Sequence, residues 1–193
     1  MRYGMYVKTN MAALLGIYIA AEDNAIVEVS SGEAGEGDML FSLDSTELYK
    51  VGQDGMEADG TGVGDASGES AEEAASHFTL LRQAAGELEE YFAGKRCTFT
   101  VPVRAKGTEF QRKVWEALRQ IPYGETRSYG EIACQVGSPK GARAVGMACN
   151  KNPIMLLTPC HRVVGSDGKL VGFAGGIAMK EALLLMERAN SLR

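Results

Sequence analysis

Histidine is scarce in this 193-residue chain: His77 and His161 are the only two, and Trp115 is the only tryptophan. No Cys-x-x-Cys pair occurs, because Cys97, Cys134, Cys149 and Cys160 are scattered. These shortages exclude the usual Cys/His spacing of structural zinc, so neither a metal nor another cofactor is expected. Four unframed thiols also fit a reducing compartment better than a disulfide scaffold. No apolar run approaches the ~20 residues of a membrane span. The first residues lack a charged segment followed by an unbroken apolar stretch, so no leader is expected. The expected location is the cytoplasm, or the nucleus if the source is eukaryotic. Positive charge is sparse in the first hundred residues, with 6 Lys/Arg against 18 Asp/Glu. From Val101 onward the ratio is 14 against 7, so a net −12 is followed by a net +7. A basic second half fits a polyanionic partner such as nucleic acid, and equally an ordinary solvated surface.

What is present is enough apolar residue for a sizeable core, 45% of the chain, in one ordinary domain or two small ones. The pattern predicts an α/β (α+β) protein. A small N-terminal sheet-plus-helix domain spans about 1–103, and a mainly helical C-terminal domain spans 104–193. Leu14 to Ala20 and Ala25 to Ser30 read as a β-hairpin across Glu22-Asp23-Asn24. The stretch 31–76 is acidic and glycine-rich. Within it Val51 to Ser76 is nearly free of large apolar residues and reads as a flexible loop or disordered linker, while Phe41, Leu43, Leu48 and Tyr49 suggest a strand or short helix. Thr79 to Ala93 has helical spacing and stops at Gly94. Thr98 to Val103 alternates like a strand that pairs with the hairpin.

Thr108 is placed to cap a helix whose stripe is Phe110, Val114, Trp115 and Leu118. Trp115 reads as core rather than as a stacking platform. Ser128 caps a helix to about Val136, Gly137-Ser138-Pro139 breaks it, and a second helix runs from about Lys140 to Asn150. That is a helix-turn-helix pattern, a weak signal by itself. The second helix is small-faced at Ala142, Ala144 and Gly146, leaving Arg143 as its one large cation. Val171 to Gly176 is a glycine-rich loop without the pattern of a phosphate cradle, and Ile177 to Asn190 closes the chain as a helix.

The residues with the most chemistry are Thr158-Pro159-Cys160-His161-Arg162-Val163-Val164. Ile154 to Leu157 reads as a buried strand leading to them and ended by Pro159. A thiol followed by an imidazole and a guanidinium is where a thiolate nucleophile would form. The plain alternative is a cysteine serving as a small buried hydrophobe.

Three runs, GTEFQRKVWEALRQIPYGETRSYGEIA, GARAVGMACNKNP and PCHRVVGSDGKLVGFAGG, with KEALLLMERAN after them, resemble the O6-alkylguanine-DNA alkyltransferases. The likeness covers about Gly107 to Asn190. It implies double-stranded DNA carrying O6-alkylguanine, or O4-alkylthymine, as partner. It also implies extrusion of the base and irreversible transfer of its alkyl group to Cys160, by a protein acting once and as a monomer. Residue by residue, Glu187 orients His161, and His161 takes the Cys160 proton through a water. Tyr129 donates to guanine N3, and Asn152 braces the turn before Cys160. Arg143 fills the gap left by the base, with its helix in the minor groove. Ala142, Ala144 and Gly146 let that helix approach, and Lys140, Ser128 and Arg162 flank it on DNA. Met155, Val163, Phe173 and Ala174 form the base pocket. Phe173 and Ala174 stand where some members have Tyr and Ser, removing two hydroxyls from that pocket. Two other readings use the same scaffold: a non-catalytic lesion-binding protein, which would replace Cys160, and a helix-turn-helix regulator. A Cys-His hydrolase would need its nucleophile and base far apart in sequence.

Overall fold

The structure, a computed structural model, describes residues 2–11, 14–31, 39–41, 48–52, 55–58 and 71–191. The chain forms two compact units, Met1–Arg104 and Ala105–Arg193. In the first, strands β1 (Tyr3–Met11), β2 (Leu14–Glu22), β3 (Ala25–Ser30), β4 (Met39–Phe41), β5 (Leu48–Gly52) and β6 (Gly55–Ala58) make one sheet. Its order is β3-β2-β1-β4-β5-β6, antiparallel except where β1 meets β4. The β2–β3 hairpin turns through Asp23 and Asn24, both at positive φ (45° and 56°). Asp and Asn tolerate that conformation, and two such residues match the right-handed strand twist. On β1, Tyr3, Met5 and Val7 are buried while Tyr6 is exposed, the two-residue period of a half-covered strand.

Helix α1 (Ala71–Phe92) crosses this sheet. Leu81, Ala84, Ala85, Leu88 and Tyr91 lie on its buried side; each large side chain there contributes about 1.5–3 kcal/mol of burial. The helix begins eight residues earlier than its apolar stripe does. Ala71 to Ala75 is alanine and glutamate, a low-hydrophobicity run that reads as loop yet has high helix propensity. Strands β4 to β6 likewise fall inside the acidic 31–76 stretch. The rest of that stretch, with Leu43, lies outside the described residues. The strand expected over Thr98 to Val103 does not form as a regular strand. One parallel bridge, Ile26 to Val103, is all that pairs, through Ile26 N–H to Pro102 O (2.8 Å) and Arg104 N–H to Ile26 O (2.9 Å). Pro102 has no N–H to extend a ladder, and the Thr100 N–H is taken by the buried Glu87 carboxylate (2.8 Å).

Among the described residues the second unit has four α-helices, α2 (Glu109–Arg119), α3 (Tyr129–Gln135), α4 (Ala142–Asn150) and α5 (Ile177–Ser191), of which α2, α3 and α4 share one core with Cys160 and Val163. Thr108 and Ser128 each cap a helix through a reciprocal capping box, with Gln111 and Glu131 respectively. Trp115 is core as expected, 2% exposed, and its indole N–H donates to Ala148 O at 2.9 Å, tying α2 to α4. Helix α3 ends at Gly137 (φ 76°). Ser138 N–H bonds Ala133 O (2.8 Å) and Gly137 N–H bonds Cys134 O (3.0 Å). This paired ending needs a left-handed residue, and glycine adopts it without steric cost. The tight turn that results sets α3 and α4 as a helix-turn-helix. A two-residue parallel pair, β7 (Arg127–Ser128) with β8 (Val163–Val164), fixes the start of α3 beside the segment that follows Cys160.

Candidate active site

The approach to Cys160 is buried as expected but is not a strand. Leu157 N–H bonds Met155 O (2.9 Å) across Leu156, whose φ is +70°. That is a γ-turn of the rarer, strained form. A second γ-turn follows at once: Cys160 N–H bonds Thr158 O (2.8 Å) across Pro159, at φ −80° and ψ 67°. The strand comes after the cysteine instead, because Cys160–Arg162 is a single 3₁₀ turn running into β8. Asn152 holds this double turn. Its Oδ1 accepts from Ile154 N–H (3.1 Å), and its Nδ2 donates to Thr158 O (2.8 Å) and to Cys160 Sγ (3.4 Å).

Cys160 is only 6% exposed, yet it lines a cavity of about 690 Å³ that also reaches Arg143 on α4. Tyr129, Gly146, Cys149 and the 171–174 loop are other walls. Burial pushes the Cys160 thiol up, against the lowering effects of Asn152, Lys180 and nearby N–H groups. The resting sulfur is therefore a thiol, and the cation next to it in sequence does not ionise it. Arg162, expected on DNA, is buried and faces the other way. It grips Glu187 through Nε to Oε2 and Nη2 to Oε1, both 2.9 Å, donates to Ile121 O (2.7 Å), and lies 5.6 Å from the Tyr123 ring centroid.

Glu187, which could have been an ordinary solvated helix carboxylate, is fully buried. Burial alone would raise its carboxyl, but hydrogen bonds from His161 and Arg162 outweigh that and hold it at about 2. His161 Nε2 lies 2.9 Å from Glu187 Oε1, while its Nδ1 is buried with no hydrogen-bond partner among the described residues. Desolvation holds the imidazole below its usual range despite the carboxylate, so it is neutral near pH 7. Tyr129 opens α3, and its hydroxyl donates to Val171 O at 2.8 Å. Burial, with Cys149 and Cys160 nearby, pushes it up to about 12, so it remains a donor.

Arg143 and Ala144 are exposed on α4, Lys140 is exposed just before it, and Ala142 and Gly146 are half-buried at the cavity. Ser128 is spent on capping α3. Phe173 and Ala174 line the cavity, whereas Val163 and Met155 do not. Val163 packs in the core, and Met155 is buried inside the γ-turn. Among the residues a motif-based reading does not single out are the cavity-lining Cys149 and Met147 (71% exposed), and the fully buried Lys180, whose ammonium bonds the wall carbonyl of Val171. Lys180 had a signal. It lies three residues before Leu183 and seven before Glu187, which places all three on one helical face.

A cysteine at the wall of an open cavity, beside a helix-turn-helix with an outward arginine, sets a candidate nucleophile next to a candidate DNA-binding motif. Residues 109–189 match the family model described as 6-O-methylguanine DNA methyltransferase, DNA binding domain. A methylated-DNA–protein-cysteine methyltransferase of Methanosarcina acetivorans is 57% identical over 108 residues, 56% of this chain and 69% of the relative. One of Mycolicibacterium paratuberculosis is 54% identical over 113 residues, 57% and 68% of the two chains. The crystal structure of Mycobacterium tuberculosis OGT in complex with DNA superposes with a TM-score of 0.71 at 33% identity, covering 97% of this chain and 94% of that one. The chain belongs to the methylated-DNA–protein-cysteine methyltransferase family, whose members are DNA-binding repair enzymes.

Proposed function

We propose that this protein removes alkyl groups from O6-alkylguanine in double-stranded DNA by transferring them irreversibly to Cys160. The observation that carries this reading is one cavity lined by both the Cys160 sulfur and Arg143. Helix α4 enters the minor groove, which carries little sequence information and so suits a lesion that occurs in any context. Its small residues allow close approach, and Arg143 occupies the gap left by the extruded nucleotide. The protein works as a monomer, in the cytoplasm. Residues 1–103 and 104–193 divide the work, with DNA binding and transfer in the second.

In the reaction the Cys160 sulfur attacks the alkyl carbon in line with O6. The S–C bond forms as the C–O6 bond breaks, and the bonding pair passes to the purine. The thiol proton leaves toward neutral His161 Nδ1 through a water, and Glu187, ionised at any working pH, steadies the imidazolium that forms. Tyr129 donates its hydroxyl to N3 and stabilises the charge arriving on the base. Asn152 points the sulfur. A thioether is not a leaving group here, so each molecule reacts once.

A lesion-binding protein without chemistry would hold the same DNA and leave its cysteine unmodified. Incubation of wild type and Cys160→Ala with duplex DNA labelled on an O6-methyl group separates the two readings. Label on wild type alone, with lesion binding retained by the variant, supports transfer to Cys160. Label on the variant, or on neither protein, overturns it.

A further inference from the structure

The hydroxyl of Tyr129 and the ammonium of Lys180 share one acceptor. Tyr129 Oη donates to Val171 O at 2.8 Å, and Lys180 Nζ donates to the same oxygen at 3.0 Å. Lys180 is fully buried on α5. Its Nζ also bonds Val163 O (2.6 Å) and Gly172 O (3.4 Å), and it lies 5.8 Å from the Tyr129 ring centroid. Among the described residues no carboxylate pairs with it. A buried ammonium of this kind is tolerated because its protons are used, and all three acceptors belong to the two segments that frame the cavity.

This arrangement matters if Tyr129 is to donate to a base, the reading on which this inference rests. Without substrate the hydroxyl is held by a wall carbonyl and is not free. Turning it toward a purine removes one donor from Val171 O just as the incoming base excludes water. A carbonyl oxygen has two lone pairs, and orphaning it in a dry site is costly. Lys180 already occupies the second lone pair. We propose that Tyr129 and Val171 form a latch, closed in the free protein, and that Lys180 is the positioning residue that lets it open by keeping the Val171 carbonyl bonded as the hydroxyl moves to the base.

The test is a double-mutant cycle on the rate of Cys160 alkylation by free O6-benzylguanine, comparing wild type, Tyr129→Phe, Lys180→Met and the double variant. Each single change is expected to slow the reaction roughly ten- to a hundredfold, the range of one charge-assisted hydrogen bond. The double variant is expected to lose little more than the slower single, since Lys180 acts through Tyr129. Losses that multiply, with wild type reacting normally, overturn the latch alone. Failure of wild type to react at Cys160 overturns the base-pocket reading itself. Should Lys180→Met not fold, wild-type NMR with guanine as a non-reacting ligand decides the matter. A shift of the Tyr129 phenol carbon while the Lys180 ammonium protons stay protected from exchange supports the latch. Ammonium protons exchanging as freely as those of a surface lysine overturn it.

Discussion

Arg162 and Glu187 meet through a two-point ion pair in which neither side chain is exposed by more than 7%, with both N···O distances at 2.9 Å. One consequence reaches the imidazole. Burial keeps His161 from becoming strongly basic, and Glu187, which divides its charge between a guanidinium and the imidazole, orients the ring without reversing that. A neutral imidazole beside a protonated thiol suits a relay that moves a proton only as the sulfur attacks.

Removing Arg162 should therefore change two quantities in opposite senses. Arg162→Met leaves a buried carboxylate with fewer partners, and breaking such a pair destabilises by about 3–5 kcal/mol. The same change frees Glu187 for His161 and removes a nearby positive charge, so the imidazole should become more basic. Denaturant unfolding reads the first effect, and the imidazole NMR titration reads the second. A stable variant with an unmoved His161 titration would contradict the ion pair's role.

Acid should weaken the fold in two stages. His161 is held below its ordinary 6.5 in the folded chain, so the unfolded state binds that proton first, and stability falls as pH drops below about 6.5. Glu187 is held at about 2 against an ordinary 4.5, so its contribution is complete above 4.5 and is lost as pH falls toward 2. Denaturation midpoints from pH 7 to 2 test this. Glu187→Gln should shrink the lower stage, which Glu87, Glu131 and Asp167, also held low, share; a flat profile from pH 7 to 4.5 would count against the His161 stage, and a flat one from 4.5 to 2 against the Glu187 stage.

The strained turn before Cys160 makes an inverted prediction at Leu156. At most positions glycine is less stabilising than alanine by about 0.5–1 kcal/mol. Here both substitutions lose the same buried side chain, but only glycine is relieved of the positive φ, worth about 1–2 kcal/mol. Leu156→Gly should be the more stable of the two on thermal unfolding, and the ordinary order would show that the turn is unstrained.

Arg143 is exposed at the mouth of the cavity, so it should serve duplex DNA and not the chemistry. Arg143→Ala is expected to slow repair of O6-methylguanine in duplex DNA by at least tenfold, about 1.4 kcal/mol, while leaving the reaction with free O6-benzylguanine within a few-fold. Equal losses with both substrates would remove Arg143 from the extrusion step.

Much of this was legible in the chain because local chemistry and tertiary fold agree. Thr108 and Ser128 start helices through their own side chains, Gly137 ends one, and Trp115 is too large and apolar to lie elsewhere. The errors fall where tertiary partners override local pattern. Ile154 to Leu157 has strand composition, but Asn152 folds it into a turn that no residue-type preference favours. Arg162 reads as a DNA cation until Glu187, 25 residues away, is seen to claim it. Ala71 to Ser76 reads as loop because helix propensity leaves no apolar signature.

The most direct measurement is the intact mass of the protein after one encounter with duplex DNA containing O6-methylguanine, followed by peptide mapping. The expected result is one methyl group per molecule, on the peptide bearing Cys160, with no second addition when more DNA is supplied. An unchanged mass, a methyl on Cys149, or repeated turnover with the sulfur unmodified would contradict it.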